Sequence, residues 1–339
     1  MPTISFVIPV KDEEEVVPEL YRRLDAVSRE IQGEVEFILV DDGSTDRSRE
    51  VMSELRGRDE RVKLLFLARN FGHQLAISAG LDFADGDAVV IIDGDLQDPP
   101  ELVLEMISLW REGYEVVHAV RRRRAGESRM KLWTAHRFYR VMHRLSDVEF
   151  PVDAGDFRLV DRRVADVVRD MREPDRYLRG MFTWVGFRQT SVSYDRDQRF
   201  AGKTKNSWAK MIGFAIDGIL GFSVTPLRFI LGLGFVISLL SLAMGVLAIV
   251  LKLTGDLPAS GQGWASLTVL VTFLAGMQLI VLGMMGLYVA RTYEQGKHRP
   301  LYLIASAEGL EAGPSGPLRE DRVLRPERQP AESTFHPSQ

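Results

Sequence analysis

Apolar and polar positions alternate in blocks along the first third of the chain. Four short apolar runs, rich in β-branched residues, are separated by segments with helical periodicity. Such runs predict buried β-strands, and their alternation with helices predicts an α/β fold with a mostly parallel sheet covered on both faces. Strands are expected at 3–10, 35–40, 62–67 and 88–92, and helices at about 16–32, 46–57 and 73–84.

Polar residues gather where each predicted strand ends. In a parallel sheet these carboxyl ends lie along one edge, and ligands bind there. The polar segments are 9–13, 41–46, 69–72 and 93–95. The sequence therefore predicts that the chemistry lies along this edge.

Two long uncharged segments follow in the last third of the chain. Residues 229–251 and 264–290 contain 23 and 27 residues without a charge, and roughly 20 suffice to span a bilayer. Basic residues before the first and after the second predict that both chain ends are cytoplasmic. A buried hairpin is the alternative, but two segments of this length favour a multi-pass transmembrane domain at 226–292 in the plasma (inner) membrane.

Two further segments are amphipathic and close to the predicted membrane domain. Residues 121–144 are basic and aromatic, which suits an anionic membrane surface or, alternatively, a solvated face over a core. Residues 207–225 predict an interfacial helix before the first span. The soluble domain is then expected at 1–206, and the composition of 305–339 predicts a disordered tail.

Composition excludes several classes of protein. The net charge of −4 gives no bulk affinity for nucleic acid, and the absence of cysteine excludes disulfides and cysteine-bound zinc. No G-x-G-x-x-G follows the first strand, which argues against a dinucleotide-dependent oxidoreductase. No Ser/His/Asp set is evident, and no histidine pair has metal-ligand spacing.

The strongest chemical signal is the pair of carboxylates at 93–95. Asp93 and Asp95 flank Gly94 directly after a predicted strand, so alternation points them to the same side. Two carboxylates so placed repel each other unless a cation joins them. Oxygen ligands suit Mg²⁺ or Mn²⁺, and Gln97 is positioned to add a carbonyl ligand.

Two other polar segments allow more than one interpretation. Residues 41–46 fit a turn with Ser44 or Asp46 capping a helix, and they also fit binding of a ribose or base. The basic loop at 196–205 fits a solvated charged run. Its place between the soluble domain and the spans favours contact with phosphate groups.

At this point several segments together resemble a known family. They are 8–14, 41–44, 69–73, 93–101, 155–159 and 199–205. They resemble the family 2 inverting glycosyltransferases and, within them, the polyprenyl-phosphate glycosyltransferases, with the bactoprenol branch more similar because it shares two C-terminal spans. The resemblance covers about residues 3–300 and implies a GT-A fold.

The resemblance also implies roles for particular residues. The implied nucleotide-binding residues are Pro9, Val10, Asp12, Glu14, Asp41, Asp42, Asp93 and Gly94. The implied metal ligands are Asp93, Asp95 and Gln97. The implied catalytic residues are Asp95, Asp156, Arg199 and Lys205, with Asp156 beside the reacting sugar unless it only forms a turn. The implied phosphate and acceptor ligands are Arg121, Arg129, Arg199, Lys203 and Lys205. Two departures are Gly94 in the usual D-A-D and Asn206 where the family has Tyr.

The activity implied is sugar transfer, with inversion, from a nucleotide-diphosphate sugar to polyprenyl (undecaprenyl) phosphate. UDP-glucose is the favoured donor, and the product would serve cell-envelope glycan modification. The expected partners are the donor, the lipid acceptor and the bilayer, with a homo-oligomer left open. Two other classes compete: a processive polysaccharide synthase, and a non-catalytic scaffold or flippase subunit.

Overall fold

The computed structural model describes residues 2–121, 154–174, 176–195, scattered positions between 232 and 254, and 263–310. Within these residues the β-sheet and its helices belong to one compact unit, and a long C-terminal helix belongs to a second.

The sheet has eight strands in the described part of the chain. They are β1 (Thr3–Val10), β2 (Glu34–Asp41), β3 (Val62–Leu67), β4 (Ala88–Ile91), β5 (Val116–Arg121), β6 (Ala154–Asp161), β7 (Gln189–Tyr194) and β8 (Ile304–Glu308). Their order is β7-β5-β6-β4-β1-β2-β3-β8. Pairing is parallel across β4-β1-β2-β3 and between β5 and β7, whereas β6 and β8 run antiparallel to their neighbours.

This strand order places the switch point of the sheet between β1 and β4. From β1 the chain moves outward through β2 and β3, then returns to the other side of β1 with β4. The loops that leave β1 and β4 therefore diverge and open a crevice at the carboxyl edge, where open α/β sheets bind ligands.

Seven helices accompany these strands in the described residues. They are α1 (Val17–Ser28), α2 (Ser48–Arg58), α3 (His73–Phe83), α4 (Leu102–Arg111), α5 (Arg162–Asp170), α6 (Leu178–Trp184) and α7 (Gly263–Gly296). Local signals explain some of their starts. Pro18 occupies the first turn of α1, where its missing N–H costs nothing, and the Asp161 carboxylate caps α5 by accepting from Arg163 N.

The central strands are buried on both faces, which explains their nearly continuous apolar sequence. Every residue of β1 from Ile4 to Val10 and every residue of β4 is buried. Helix α3 packs closely on this sheet because Gly80 faces it. A Cβ at position 80 would lie 2.3 Å from Val7 Cγ1, so only glycine allows this approach.

The strands and helices predicted for the first third of the chain are confirmed, with ends shifted by a few residues. The expected GT-A arrangement of a mostly parallel sheet with helices is also present. The boundary of the predicted tail is wrong, because Ile304–Glu308 form β8 and pair with β3. The sequence gives no apolar run at this strand, because four of its five residues are exposed and only Ile304 is buried. Residues 311–339 lie outside the described chain.

The chain that leads into β8 is anchored by Tyr302. Its side chain is fully buried, and its hydroxyl donates to Asp82 Oδ2 at 2.6 Å. The same carboxylate oxygen pairs with Arg172 at 2.8 Å. The backbone of Ala68 donates to Leu303 O at 2.9 Å. The folded unit thus includes chain that follows the last predicted span.

Helix α7 is the one described helix that is long and apolar enough to cross a membrane. Its stretch Phe273–Gly296 has 24 residues and a mean hydropathy of 1.9 in its most apolar window, none of which is buried. The second predicted span is therefore a helix of suitable length and composition. The first lies mostly outside the described residues, although the positions described between 232 and 254 are helical. The amphipathic segments 122–144 and 207–225 also lie outside.

We expect Tyr302→Ala to lower the free energy of unfolding by about 3–5 kcal/mol, because it removes a fully buried aromatic side chain. Tyr302→Phe should cost less, about 1.5–3 kcal/mol, the value of one hydrogen bond to a charged group. Urea unfolding of the detergent-solubilised protein, followed by tryptophan fluorescence, measures both. Ser306→Ala, on the exposed part of β8, is the matched control. Equal stability of the Tyr302→Ala and control proteins would contradict the anchoring role.

Candidate functional site

The loops that follow β1 and β2 are joined by hydrogen bonds at the carboxyl edge. Asp12 Oδ1 accepts from Thr45 N at 2.7 Å, and Glu14 Oε2 accepts from Arg47 N at 2.9 Å. Asp12 itself adopts φ +53°, which is unusual for a residue other than glycine. These contacts hold both predicted nucleotide-binding acids at one wall of the crevice.

Gly43 brings the β2 loop against the β3 loop. Its φ is +68°, and a Cβ there would lie 2.6 Å from Asn70 N. Any side chain would therefore separate the two loops. Lys11 Nζ donates to the carbonyl oxygen of Gly43 and so ties the same turn to the end of β1.

Asp41 and Asp42 are both buried and both hold backbone in place. Asp41 Oδ2 pairs with Arg49 Nε at 2.6 Å, and its Oδ1 accepts from Ser44 N at 3.0 Å. Asp42 accepts from the backbone N–H of Phe71 at 2.7 Å and also from that of Gly72. Burial raises the pKa of Asp42, and the two backbone N–H groups only partly offset this. Asp41 is fully buried, and its contacts to Arg49 and Ser44 hold the loop that follows β2.

The carboxylate loop, residues 92–98, alternates between buried and partly exposed positions. Asp93, Asp95 and Gln97 are partly exposed, whereas the residues on either side of them are buried. The three predicted metal ligands are therefore all partly accessible in the loop that follows β4. Asp95 Oδ1 also accepts from Gln97 N at 3.1 Å, which tightens the loop.

Two backbone features fix this loop against the sheet. Leu96 adopts φ +57° although it is not glycine, and its side chain is only 3% exposed, so core packing stabilises the strained turn. Gly94 lies against β1, where a Cβ would come within 2.8 Å of Pro9 O. Pro9 and Val10 are buried and form the floor of the crevice through their backbone, with Val10 O accepting from Asp42 N at 2.9 Å.

Asp156, on β6, is the most heavily bonded carboxylate at this edge. Arg179 Nε donates to its Oδ1 at 2.9 Å and Arg179 Nη2 to its Oδ2 at 3.1 Å, a two-pronged pair. Gln74 Nε2 donates to Oδ2 at 3.2 Å and, through its Oε1, accepts from Leu178 N at 3.0 Å. Arg158 is fully buried below and donates to the carbonyls of Gly155 and Asp156. Asp156 is therefore more than a turn residue.

His73 joins the carboxylate loop to Asp156. Its Nε2 lies 3.2 Å from Asp93 Oδ1 and 3.3 Å from Asp156 Oδ2. Burial alone would lower the pKa of His73, but the two carboxylates outweigh it and raise the pKa to about 10. Burial would likewise raise the pKa of Asp156, but His73 and Arg179 hold it well below its usual range. Without a cation at this edge, the pair is thus favoured as imidazolium and carboxylate, and His73 could bind a metal only after losing this proton.

The donor groups present fit a divalent cation. Asp93 Oδ1 is buried, and His73 Nε2 faces it at 3.2 Å. Ligand atoms of His73, Asp93 and Asp156 all lie within 4.8 Å of one another. Oxygen ligands suit Mg²⁺ and Mn²⁺, and an imidazole favours the transition metal. Asp93 is common to this group and to the predicted set with Asp95 and Gln97.

The structure brings together some of the predicted residues and adds others. Arg121, at the end of β5, lies beside Gly155, where a Cβ would come within 3.0 Å of Arg121 Nη2. Arg129, Arg199, Lys203 and Lys205 lie outside the described residues. His73, Gln74 and Arg179 were not predicted. His73 stood within a segment that carried the family resemblance, but Arg179 had no signal, because its partner is 23 residues away in sequence.

Comparisons with known proteins show the family of this chain. Residues 5–169 match the profile of the family described as "Glycosyl transferase family 2". The chain is 45% identical over 307 residues to an uncharacterized glycosyltransferase, YkcC, of Bacillus subtilis, covering 91% of this chain and 94% of that protein. It is 38% identical to the bactoprenol glucosyl transferase of Shigella phage SfV, covering 89% and 97%. A crystal structure of mannosyl-3-phosphoglycerate synthase from Rubrobacter xylanophilus is similar with a TM-score of 0.45 and 15% identity, covering 77% of this chain and 78% of that one.

We expect Mn²⁺ to bind this edge through Asp93. Asp93→Ala should weaken Mn²⁺ binding at least about tenfold, since loss of one carboxylate removes both a ligand and a charge. Electron paramagnetic resonance titration of the purified protein measures this without any substrate. Asp95→Ala tests whether Asp93 binds the ion together with Asp95 and Gln97. His73→Ala tests whether Asp93 binds it together with His73 and Asp156. Asp85→Ala, at the opposite end of β4 and 46% exposed, is the matched control. Unchanged binding in Asp93→Ala would exclude the site.

Proposed function

The chain belongs to glycosyl transferase family 2, and from this premise we propose that it transfers a sugar from a nucleotide-diphosphate sugar to polyprenyl phosphate. Glucose from UDP-glucose is the favoured donor group, undecaprenyl phosphate the favoured acceptor, and the anomeric centre inverts. The product would supply a later transfer of the sugar into cell-envelope glycan.

One observation carries the donor half of this proposal. Asp93, Asp95 and Gln97 are partly exposed in the loop that follows β4 at the switch point of the sheet, and His73 joins Asp93 to Asp156. A nucleotide there would meet Asp12 and Glu14, while its sugar would lie toward Asp156. A divalent cation held by Asp93, Asp95 and Gln97 would neutralise the charge that develops on the leaving diphosphate.

The acceptor half rests on chemistry and on the relatives. Several relatives are called bactoprenol glucosyl transferases, and helix α7 has the length and composition of a membrane span. The second pKa of a phosphate monoester is near ~6, so the acceptor is largely dianionic at neutral pH and needs little help from a general base. An ionised Asp156 paired with Arg179 is consistent with a positioning and electrostatic role rather than proton removal.

The acceptor phosphate and the donor diphosphate must then lie close together, and basic residues would reduce the repulsion between them. Arg121 is part of this edge, and we assign Arg129, Arg199, Lys203 and Lys205 to the acceptor and donor phosphates on the resemblance alone. Arginine binds phosphate with two parallel hydrogen bonds, whereas lysine supplies a point charge. Arg199 and Lys205 would screen the acceptor from the donor during attack on the anomeric carbon.

The proposal includes the place of the protein in the cell. The catalytic domain would lie on the cytoplasmic face of the plasma membrane, held by spans near 229–251 and 264–290, with both termini on the same side. A processive synthase is less consistent with this chain, because such enzymes carry a Q-x-x-R-W segment and further spans. A non-catalytic scaffold would leave the carboxylate loop without a role.

The transfer itself is tested with a donor panel. Membranes containing the protein are mixed with undecaprenyl phosphate and one of UDP-glucose, UDP-N-acetylglucosamine or GDP-mannose. The mass of the lipid product is then measured by mass spectrometry. We expect a hexosyl product from UDP-glucose that disappears in excess EDTA or in Asp95→Ala, because the cation screens the leaving diphosphate. Asp85→Ala membranes serve as control. No lipid product with any donor would overturn the proposed function.

Asp156→Asn should lower kcat roughly 100-fold, the scale of one electrostatic contact made in the transition state. Affinity for UDP should change little, because the nucleotide wall is built from the β1 and β2 loops. Arg179→Gln, which frees the carboxylate, should show the same pattern to a smaller extent. Steady-state kinetics and UDP titration measure the two effects. Asp166→Asn, half-exposed on α5, is the control, and an unchanged kcat in Asp156→Asn would remove Asp156 from the mechanism.

A further inference from the structure

A buried carboxylate at the end of the carboxylate loop joins three parts of the sheet. Asp98 is fully buried and accepts a short hydrogen bond from the hydroxyl of Tyr194, the last residue of β7. The same oxygen, Oδ1, lies 3.5 Å from Arg121 Nη2 at the end of β5. Arg121 Nε in turn donates to the Tyr194 hydroxyl at 3.1 Å. The three side chains form a closed triangle.

The triangle is arranged to hold the guanidinium of Arg121. A buried carboxylate needs a compensating charge, and Arg121 is a cation that pairs with Asp98. Tyr194 is only 4% exposed, and burial together with Asp98 raises the pKa of its hydroxyl, so it stays a donor to Asp98. The hydroxyl can then accept from Arg121 with its remaining lone pair. Each side chain takes part in two of the three contacts, so removing one residue removes two contacts.

The guanidinium so held lies next to the strand that carries Asp156. Gly155 has no side chain, and a Cβ at this position would come within 3.0 Å of Arg121 Nη2. Arg121 remains 28% exposed, in contrast to the fully buried Asp98. The cation is therefore fixed beside the carboxylate loop and Gly155 of β6, while part of it remains accessible to a ligand.

We propose that Asp98 and Tyr194 are positioning residues that hold Arg121 beside the carboxylate loop to bind the phosphate of the lipid acceptor. This rests on the proposed function for the identity of the acceptor. An arginine side chain is long and flexible, so fixing it before binding reduces the entropy lost when the phosphate arrives. Asp98 stands next to Gln97 in the sequence but serves the acceptor rather than the metal.

The test is a double-mutant cycle between Tyr194→Phe and Arg121→Ala in the full-length protein. Tyr194→Phe should raise KM for undecaprenyl phosphate about tenfold, as expected when a charged group loses one hydrogen bond. In the Arg121→Ala background the same change should alter KM by less than about twofold, because the residue that it positions is absent. Asp98→Asn should follow the same pattern. Transfer kinetics with varied acceptor give the four KM values.

Two further measurements separate positioning from a general structural role. The affinity for UDP and the unfolding temperature should stay close to those of the unmodified protein in Tyr194→Phe. Tyr114→Phe is the matched control, since Tyr114 precedes β5 and stacks on Arg188 instead. Additive effects of the two substitutions, or an equal loss of UDP affinity, would overturn the positioning role while transfer by the unmodified protein remains. Absence of transfer by the unmodified protein would instead overturn the proposed function and, with it, the acceptor assignment.

Discussion

The buried, ionised carboxylate of Asp156 is the constraint on which the site depends. An ionised group taken out of water is costly unless a partner of opposite charge and hydrogen bonds compensate it. Arg179 and His73 supply the charge, and Gln74 supplies a further hydrogen bond. These partners lie in the first turns of α3 and α6, so their bonds to the Asp156 carboxylate hold the N-terminal ends of both helices against β6. The same contacts bring Asp93 close, which leaves an arrangement suited to a cation and a diphosphate.

Close backbone approach at a few glycines makes this arrangement possible. Gly80 lets α3 lie on β1, and His73 and Gln74 stand at the beginning of that helix. Gly94 lets the carboxylate loop lie on the end of β1, and Gly155 leaves room for Arg121. Each glycine sits where two elements carrying functional side chains meet. Packing within the sheet and its helices therefore sets the geometry of the site and fixes the positions of the exposed acids.

The return of the chain after helix α7 changes how the protein is divided. Residues 300–308 belong to the folded unit that contains the sheet, through Tyr302, Ile304 and the pairing of β8 with β3. This unit is thus discontinuous in sequence, because residues 300–308 follow α7 along the chain. Deleting everything after the first 206 residues would remove an edge strand and a buried tyrosine together with the spans. A deletion that retains 300–310 would leave those groups in place.

The sequence by itself determined the strands and helices of the first third, the position of the carboxylate loop directly after β4, and the apolar character of α7. These follow from local periodicity, which needs no knowledge of distant residues. The partners of the site were decided only by tertiary structure. Arg179 meets Asp156 across 23 residues, Tyr194 meets Asp98 across 96, and Tyr302 meets Asp82 across 220. Nothing in a single sequence marks such pairs, because a buried charge selects its partner by proximity in the fold. Strand β8 was missed for a related reason, since an edge strand buries one residue and gains its stability from hydrogen bonds to β3.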